Sequence, residues 1–215
     1  MRADSPAATL FAVLYRRLFY AIFADEMGED LARDYRRQAN VSAIMIATVV
    51  AGGHDRWFDR VDTPAVETRD DILRETFEKA VAELSKTLGG EPPSWAWGRL
   101  HTLELEHPLG KASRLLGFYF DRGPFRVPGH TQSVNKMEFA EADFRVLHGP
   151  SMRQITDFSD LDGSLAILPG GESGIPASPH YADLTPLWLA GEYHVFPMDR
   201  AKVDAVAASR LVLAP

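Results

Sequence analysis

Two side chains in the second half of the sequence are of types that handle negative charge, Asn135 in the segment HTQSVN and Arg153 in the segment GPSMR. A carboxamide is a neutral hydrogen-bond donor, and a guanidinium is a permanent cation with several donors in a fixed geometry. Each residue also has a structural interpretation. Asn at a strand end often satisfies its own turn, which the bare sequence favours for Asn135. Arg153 can form an ion pair with an acid such as Asp157 or Asp160.

The histidines do not predict a metal site. His101 and His107 are six residues apart with two glutamates between them, which is not the spacing of a helical zinc site. His107-Pro108 and His180-Tyr181 are interpreted as packing and hydrogen-bonding residues that fix loops, because buried polar groups must find partners. We therefore predict no metal ligands in this sequence.

Composition excludes several classes of function. The 215 residues are 46% hydrophobic, and 23 basic residues are interspersed with 30 acidic ones to give a net charge of -7, so a nucleic-acid surface is not expected. The absence of cysteine excludes a disulfide framework, a thiolate nucleophile and cysteine-ligated zinc. The apolar stretch 41–51 is too short for a bilayer, and no signal peptide begins at Met1. We predict no membrane span.

Helices are predicted in the first part of the chain. They would form the scaffold for the second part, which contains Asn135 and Arg153. Ser5-Pro6 is an N-cap followed by a first-turn proline, and Gly28 ends that helix. A second helix is predicted over about 29–50. A third begins with a capping box at Thr68 and ends at Gly89. Its apolar stripe comprises Ile72, Leu73, Phe77, Ala80, Val81, Leu84 and Leu88.

The second part is predicted to be strand and loop. Asp162-Gly163 is a hairpin-turn signal, and the loop 168–183 is too long and too rich in Gly, Pro and Ser to be a simple connector. The resulting division is a helical segment, 1–93, and a strand-and-loop segment, 94–215. Candidate strands are 117–120, 131–134, 144–147, 152–157 and 164–167.

Three segments, in this order, resemble penicillin acylases and their relatives, which include acylases that act on cephalosporins, acyl-homoserine lactones and lipopeptides. They are WGRLHTLELEHPLG (97–110), HTQSVN (130–135) and the segment from GPSMR to FPMDR (149–200). The resemblance implies an α+β fold, as part of the four-layer αββα domain of an N-terminal-nucleophile hydrolase. Both segments of the chain would then belong to one larger domain, in the C-terminal part of the β chain.

Such a hydrolase cleaves its own precursor and exposes a serine as the first residue of the larger chain. The α-amino group of that serine acts as the base, because its pKa near 8 lets it accept a proton at neutral pH. No Gly-Ser cleavage site precedes the matched segments here, and Ser5 is interpreted as an N-cap. We therefore expect a fragment that is inactive alone. Its partner would be the remainder of the acylase, the α chain and the N-terminal part of the β chain.

The resemblance also assigns roles. Asn135 matches the family asparagine that donates to the oxyanion, and Arg153 matches the arginine that organises the substrate and the surroundings of the nucleophile. The substrate is expected to be a small N-acyl amide, such as the side-chain amide of a β-lactam antibiotic. Its binding residues are not identifiable. No cofactor is predicted; calcium binds several relatives, with ligands not identifiable in this sequence. The resemblance implies a periplasmic or secreted protein.

Two other classes of function stay open. The first is a noncatalytic domain that depends on a partner chain and keeps acylase-like sequence because those residues hold the sheet together. The second is a small-molecule binding protein that stands alone. A fragment of a larger fold is expected to show exposed apolar surface and open strand edges, whereas a binding protein is expected to cover them.

Overall fold

The structure is a computed structural model that describes residues 1–37 and 39–213, with only the backbone at positions 39 and 40. The chain forms two compact units. The first unit comprises residues 1–104 and 123–149, and the second comprises residues 105–122 and 150–215. Each is described by itself. The sequence division at residue 93 stays a prediction.

Helix α1 (Pro6–Met27) is the central element of the first unit. The Ser5 hydroxyl accepts a hydrogen bond from the Ala8 N–H (3.2 Å), and the helix ends at Gly28, which confirms the predicted caps. The helix is long and apolar enough to cross a membrane by length and composition alone. Within the first unit it is a core helix, with eight buried residues.

The predicted second helix is described as two, α2 (Glu29–Arg37) and α3 (Ala39–Val50). Residue 38, where they would join, lies outside the described residues, so a continuous helix stays a prediction. Ile46 and Val49 of α3 are buried in the core, whereas Ile44 is 67% exposed. The apolar half of this segment therefore contributes one face to the core and leaves another uncovered.

Helix α4 (Arg69–Leu88) confirms the capping box. The Thr68 hydroxyl accepts from the Asp71 N–H, and the Asp71 carboxylate accepts from the Thr68 N–H. The predicted stripe is wrong at Phe77, which is 45% exposed, while Thr76 is buried. The buried row repeats every four residues, so it includes position 76, and position 77 is turned about a quarter of a circle away. That row is Ile72, Thr76, Ala80, Leu84 and Leu88.

The remaining elements are short. The other helices are α5 (Arg114–Phe120), α6 (Thr185–Ala190) and α7 (Arg200–Val206). The strands are β1 (Thr102–Leu105), β2 (Arg122–Arg126), β3 (Glu138–Phe139), β4 (Val146–His148), β5 (Arg153–Ile155), β6 (Leu165–Ile167) and β7 (His194–Val195). Three small sheets result, β1-β2, antiparallel β3-β4 and antiparallel β5-β6-β7, among the described residues.

The structure confirms some of the predicted strands and contradicts others. Strands β5 and β6 confirm 152–157 and 164–167, joined through Asp162-Gly163, and β4 overlaps 144–147. The prediction for 117–120 is wrong: the Ser113 hydroxyl caps the helix α5 there by accepting from the Leu116 N–H. The prediction for 131–134 is also wrong, because this segment folds into a turn whose backbone bonds to itself.

Apolar side chains are distributed unequally between the units. Both buried clusters lie in the first unit, where α1 packs against α4 and against α2 and α3. The second unit exposes many large apolar side chains, and β5 and β7 each have a partner strand on one side only in the described part of the chain. This surface is what the fragment hypothesis predicted. Among these exposed side chains are Leu115, Phe118, Phe158, Ile175, Val195, Phe196 and Met198.

Candidate functional site

Asn135 lies in a tight turn over residues 129–137, here called the Asn135 turn. The Ser133 hydroxyl donates to the Asn135 carbonyl (2.7 Å) and contacts the His130 carbonyl (3.0 Å), and the same hydroxyl accepts from the His130 N–H (2.9 Å). The Met137 N–H closes the turn on the His130 carbonyl (3.2 Å). Ser133 and His130 therefore hold the backbone around Asn135.

Gly129 makes this turn sterically possible. Its φ is +98°, a conformation that residues with a Cβ rarely adopt, and a Cβ there would overlap the Asn135 carbonyl oxygen. The same Cβ would lie 3.0 Å from Met137 Cγ and 3.3 Å from Asn135 Nδ2. The Gly129 carbonyl also accepts from Trp97 Nε1 (2.9 Å). Gly129 thus lets the backbone pass close to Asn135 and ties the turn to a fully buried tryptophan.

An aromatic cluster supports the turn from inside the first unit. The Trp97 ring stacks on His101 at 4.5 Å between centroids, and the Phe139 ring makes edge contacts with Trp97, His101 and His130. His101 Nδ1 lies 3.0 Å from the Phe144 carbonyl. A carbonyl only accepts, so Nδ1 carries the proton and Nε2 is the bare nitrogen. Nε2 is buried and has no hydrogen-bond partner among the described residues.

The cluster keeps two histidines neutral. Burial lowers the pKa of His101 to about 4, against the opposing effect of the hydrogen bond to the Phe144 carbonyl, and His130 lowers it further. Burial also lowers the pKa of His130 to about 4, and the nearby positive charges of Arg36 and the N-terminus add to the effect. Both rings are therefore uncharged packing groups at neutral pH, which suits their place against aromatic carbons.

These two histidines predict an acid-sensitive fold. In the unfolded chain both histidines have a pKa of about 6.5. Between that pH and about 4, they are therefore protonated in the unfolded state and neutral in the folded state, so protonation stabilises the unfolded chain. Stability should fall as the pH drops from about 6.5 to about 4, by about 3 kcal/mol for each histidine. Urea unfolding at about pH 7 and about pH 4.5 measures this loss.

His101→Phe is expected to remove a large part of that pH dependence, because the variant has no proton to take up at this position. His54→Gln is the matched control, since the His54 side chain is exposed. Its pH dependence is expected to equal that of the unchanged chain. If His101→Phe kept the full acid-induced loss, His101 would not be a source of the sensitivity.

A cleft of about 640 Å³ opens beside the Asn135 turn, within the first unit. Thr131 and Gln132 of the turn line one side, and residues of α1 and α2 line the other. A buried ion pair lies in its wall, with Arg36 Nε 2.7 Å from Glu141 Oε1. The Tyr20 hydroxyl lies 3.2 Å from the same carboxylate. The cleft therefore has aromatic side chains in its walls, together with an ion pair in which the charges of Arg36 and Glu141 neutralise each other.

Arg153 is the first residue of β5, in the second unit. Its guanidinium lies 4.3 Å from the ring centroid of Trp188, and Nη1 donates to the Trp188 carbonyl (2.5 Å). Burial lowers the pKa of Arg153 from its usual value, although an arginine at this depth stays cationic. The structure thus gives Arg153 an aromatic and a carbonyl partner. The alternative of an ion pair with Asp157 or Asp160 stays a prediction.

Asn135 and Arg153 belong to different units, and each is positioned by its own surroundings. The loop-fixing histidines are confirmed. His107 stacks on Phe120 and its Nδ1 accepts from the Leu109 N–H (3.1 Å). His180 Nδ1 lies 2.8 Å from an Asp183 carboxylate oxygen. Sequence reasoning missed Gly129, although the Pro-Gly pair before His130 is a turn signal, and it did not assign Trp188 to the site because a large aromatic is more often a core residue.

No cluster of acidic and histidine side chains suited to a metal ion occurs in the described part of the chain. Nowhere in residues 1–37 and 39–213 do three Asp, Glu or His side chains converge as they would around a metal ion. Calcium binding by an intact parent stays a prediction.

Comparisons with known proteins identify one family, which covers most of the chain. The penicillin amidase family matches residues 1–205. The chain is 32% identical over 232 residues to the acyl-homoserine lactone acylase QuiP of Pseudomonas aeruginosa, covering 100% of this chain and 27% of that protein. It is 28% identical over 142 residues to the penicillin acylase 2 proenzyme of Pseudomonas sp. strain SE83, covering 64% of this chain and 18% of that protein.

A solved structure shows the same fold. Thermostable penicillin G acylase from Alcaligenes faecalis matches with a TM-score of 0.52 and 16% sequence identity, covering 100% of this chain and 40% of that one. The helices and small antiparallel sheets described above therefore form an α+β arrangement similar to part of that acylase. The chain spans about a quarter of the length of the curated relatives that it matches along its full length.

Proposed function

Because the chain belongs to the penicillin amidase family, we propose that it is a segment of an acylase that hydrolyses the amide bond of a small N-acyl compound. The segment supplies an oxyanion donor, Asn135, and a cationic organiser of the site, Arg153. It lacks the N-terminal serine, which another part of the acylase provides. The short span relative to the matched proteins supports this division of labour.

The proposed reaction is acyl transfer through a covalent intermediate. The serine hydroxyl of the remainder attacks the amide carbonyl while its α-amino group takes the proton, and the carbonyl oxygen becomes an oxyanion. Asn135 Nδ2 donates to that oxyanion. The C–N bond then breaks, the amine leaves with the proton, and water hydrolyses the acyl ester. Arg153 contributes a fixed positive charge that orients the substrate and the nucleophile's surroundings.

The observation that carries the proposal is the construction of the Asn135 turn. A donor accelerates acyl transfer only if it is already in place when charge develops. Ser133 and His130 make the backbone bonds of the turn, Gly129 allows its close approach, and Trp97 ties it to the core. The backbone of the asparagine is therefore held by bonds and contacts of neighbouring residues.

An acyl-homoserine lactone is the proposed substrate class, and a β-lactam side-chain amide is the alternative. The similarity to proteins named acyl-homoserine lactone acylase covers the full chain, whereas the similarity to a penicillin acylase proenzyme covers less of it. The acylase is proposed to mature from a precursor and to act in the periplasm or outside the cell. The remainder of the acylase is the proposed partner of this segment.

A second candidate function is a noncatalytic domain that depends on a partner chain. The exposed apolar side chains and open strand edges of the second unit favour dependence on a partner. They disfavour a small-molecule binding protein that stands alone. The two candidate functions predict different results when the partner is present. Substitution of Asn135 or Arg153 lowers turnover if the chain is an acylase segment, and leaves it unchanged if the chain is a noncatalytic domain.

The test is a chimeric acylase in which this chain replaces the matching segment of the Pseudomonas aeruginosa relative. We expect the chimera to mature and to release homoserine lactone from an N-acyl-homoserine lactone, with penicillin G as the alternative substrate. A chimera that matures but hydrolyses neither compound would favour the noncatalytic domain.

Arg153→Lys in the chimeric acylase is expected to lower kcat about tenfold, because lysine keeps the charge but loses the planar, multiply donating geometry. The Michaelis constant and the melting temperature of the variant are measured together with kcat. Arg145→Lys is the matched control, since Arg145 pairs with Asp143 at the surface of the first unit, and it is expected to keep its turnover. Equal kcat values for Arg153→Lys and the unchanged chimera would argue against the role given to Arg153.

A further inference from the structure

We propose that Trp188 is a positioning residue that sets the place and orientation of the Arg153 guanidinium in the acylase reaction, an inference that rests on the proposed function. Two separate groups of Trp188 contact the guanidinium. The indole ring lies below it at 4.3 Å, and the main-chain carbonyl accepts from Nη1 at 2.5 Å. A ring contact and a hydrogen bond together restrict both the plane of the guanidinium and its rotation in that plane.

Trp188 is itself immobilised by the fold of the second unit. Its side chain is 1% exposed. The first residue of α6, Thr185, is buried and donates its hydroxyl to the Pro169 carbonyl (2.7 Å), and the Leu184 N–H donates to the Gly170 carbonyl (3.0 Å). The long Gly- and Pro-rich loop thus anchors the start of the helix that carries Trp188. A contact residue fixed in this way can transmit its position to Arg153.

A structural explanation of the same contact is that Arg153 caps the C-terminal end of α6. Arginine side chains do bind the last carbonyls of helices. Here Gly191 adopts the left-handed conformation after α6 and its N–H already donates to the Trp188 carbonyl (3.3 Å). The helix end therefore has its usual glycine cap without Arg153. The contact is therefore not required to end the helix, whereas it gives the half-buried guanidinium an acceptor and an aromatic face.

The test is a double-mutant cycle in the chimeric acylase. Trp188→Leu keeps the main-chain carbonyl and removes the aromatic face, so it is expected to lower kcat about tenfold, the fold-change of a partly desolvated cation–π contact. In the Arg153→Ala background the same change is expected to lower kcat by less than about twofold, because there is no guanidinium left to position. KM is expected to change less than kcat in both backgrounds.

Two further variants separate positioning from folding. Trp188→Phe preserves most of the buried volume with a weaker aromatic face, so an intermediate loss of about threefold is expected, again only when Arg153 is present. If the Trp188→Leu chimera does not mature, the Trp188→Phe chimera tests whether the effect on kcat depends on Arg153. Leu189→Ala, also on α6 and half-buried, is the control for general loosening of the helix. Its effect on kcat is expected to be the same with and without Arg153.

Equal losses from the Trp188 changes in the presence and absence of Arg153 would overturn the proposal, because Trp188 would then act through the fold alone. If Arg153→Ala by itself left kcat unchanged, the role of Arg153 in the proposed function would fail, and the positioning role with it. A mature chimera without any turnover would instead contradict the proposed function as a whole. The three failures are therefore distinguishable.

Discussion

Asn135→Ala in the chimeric acylase is expected to lower kcat about a hundredfold or more while KM changes little. The loss of one preorganised donor to an oxyanion has an effect of this size in acyl-transfer enzymes. The donor acts on charge that exists only in the transition state and the intermediate, so kcat and kcat/KM should fall together. Steady-state hydrolysis of an N-acyl-homoserine lactone measures both.

Val134→Ala is the matched control for this substitution. Val134 precedes Asn135 in the same turn and its side chain is fully exposed, so its truncation removes no packing. Turnover by Val134→Ala is expected to equal that of the unchanged chimera. Melting temperatures of both variants check that the turn is intact. Asn135→Ala with unchanged kcat would show that the asparagine only shapes the turn.

Gly129→Ala is expected to lower kcat by a similar factor, about a hundredfold, although the residue has no functional group. A Cβ at position 129 would overlap the Asn135 carbonyl oxygen, and the backbone there has a φ of +98°. Relief of that overlap must move the backbone at position 129 or at Asn135, and we expect the shift to reach Asn135; a shift of about 1 Å in a catalytic group costs about a hundredfold in rate. The strained conformation also predicts a loss of stability of about 1–3 kcal/mol.

The control for Gly129→Ala is Gly90→Ala, at a position with open space around the added methyl group and no positive φ. That variant is expected to keep both kcat and melting temperature. The outcome that counts against the account is a Gly129→Ala enzyme that is destabilised but fully active per mature molecule. It would mean that the position of Asn135 does not depend on the close approach at Gly129.

Sequence patterns a few residues long predict the helix starts, because the hydrogen bonds that form there join residues close together in the sequence. Ser5-Pro6 and the capping box at Thr68 identify helix starts because the caps bond within one turn. The short apolar run at 117–120 predicts a strand, whereas the cap at Ser113 produces a helix. The sequence predicts Phe77 in the core, because an apolar residue at helical spacing does not reveal where the packed face ends.

The candidate site depended more on long-range contacts. The resemblance identified Asn135 and Arg153, but the groups that position them are distant in the sequence. Trp97 reaches the Asn135 turn across 32 positions, and Trp188 reaches Arg153 across 35. Such pairs follow from tertiary packing, which periodicity and turn signals do not encode. Only Gly129 had a local signal, as the glycine of a Pro-Gly pair.

The central claim is that this chain supports acyl transfer with Asn135 and Arg153 but holds no nucleophile for it. The most direct measurement is the release of homoserine lactone from an N-acyl-homoserine lactone by the purified chain alone, next to the mature chimeric acylase at equal molar concentration. The account predicts turnover by the chimera and none above the uncatalysed rate by the chain. Hydrolysis by the chain alone, abolished by Asn135→Ala, would contradict it, because the nucleophile would then lie within these 215 residues.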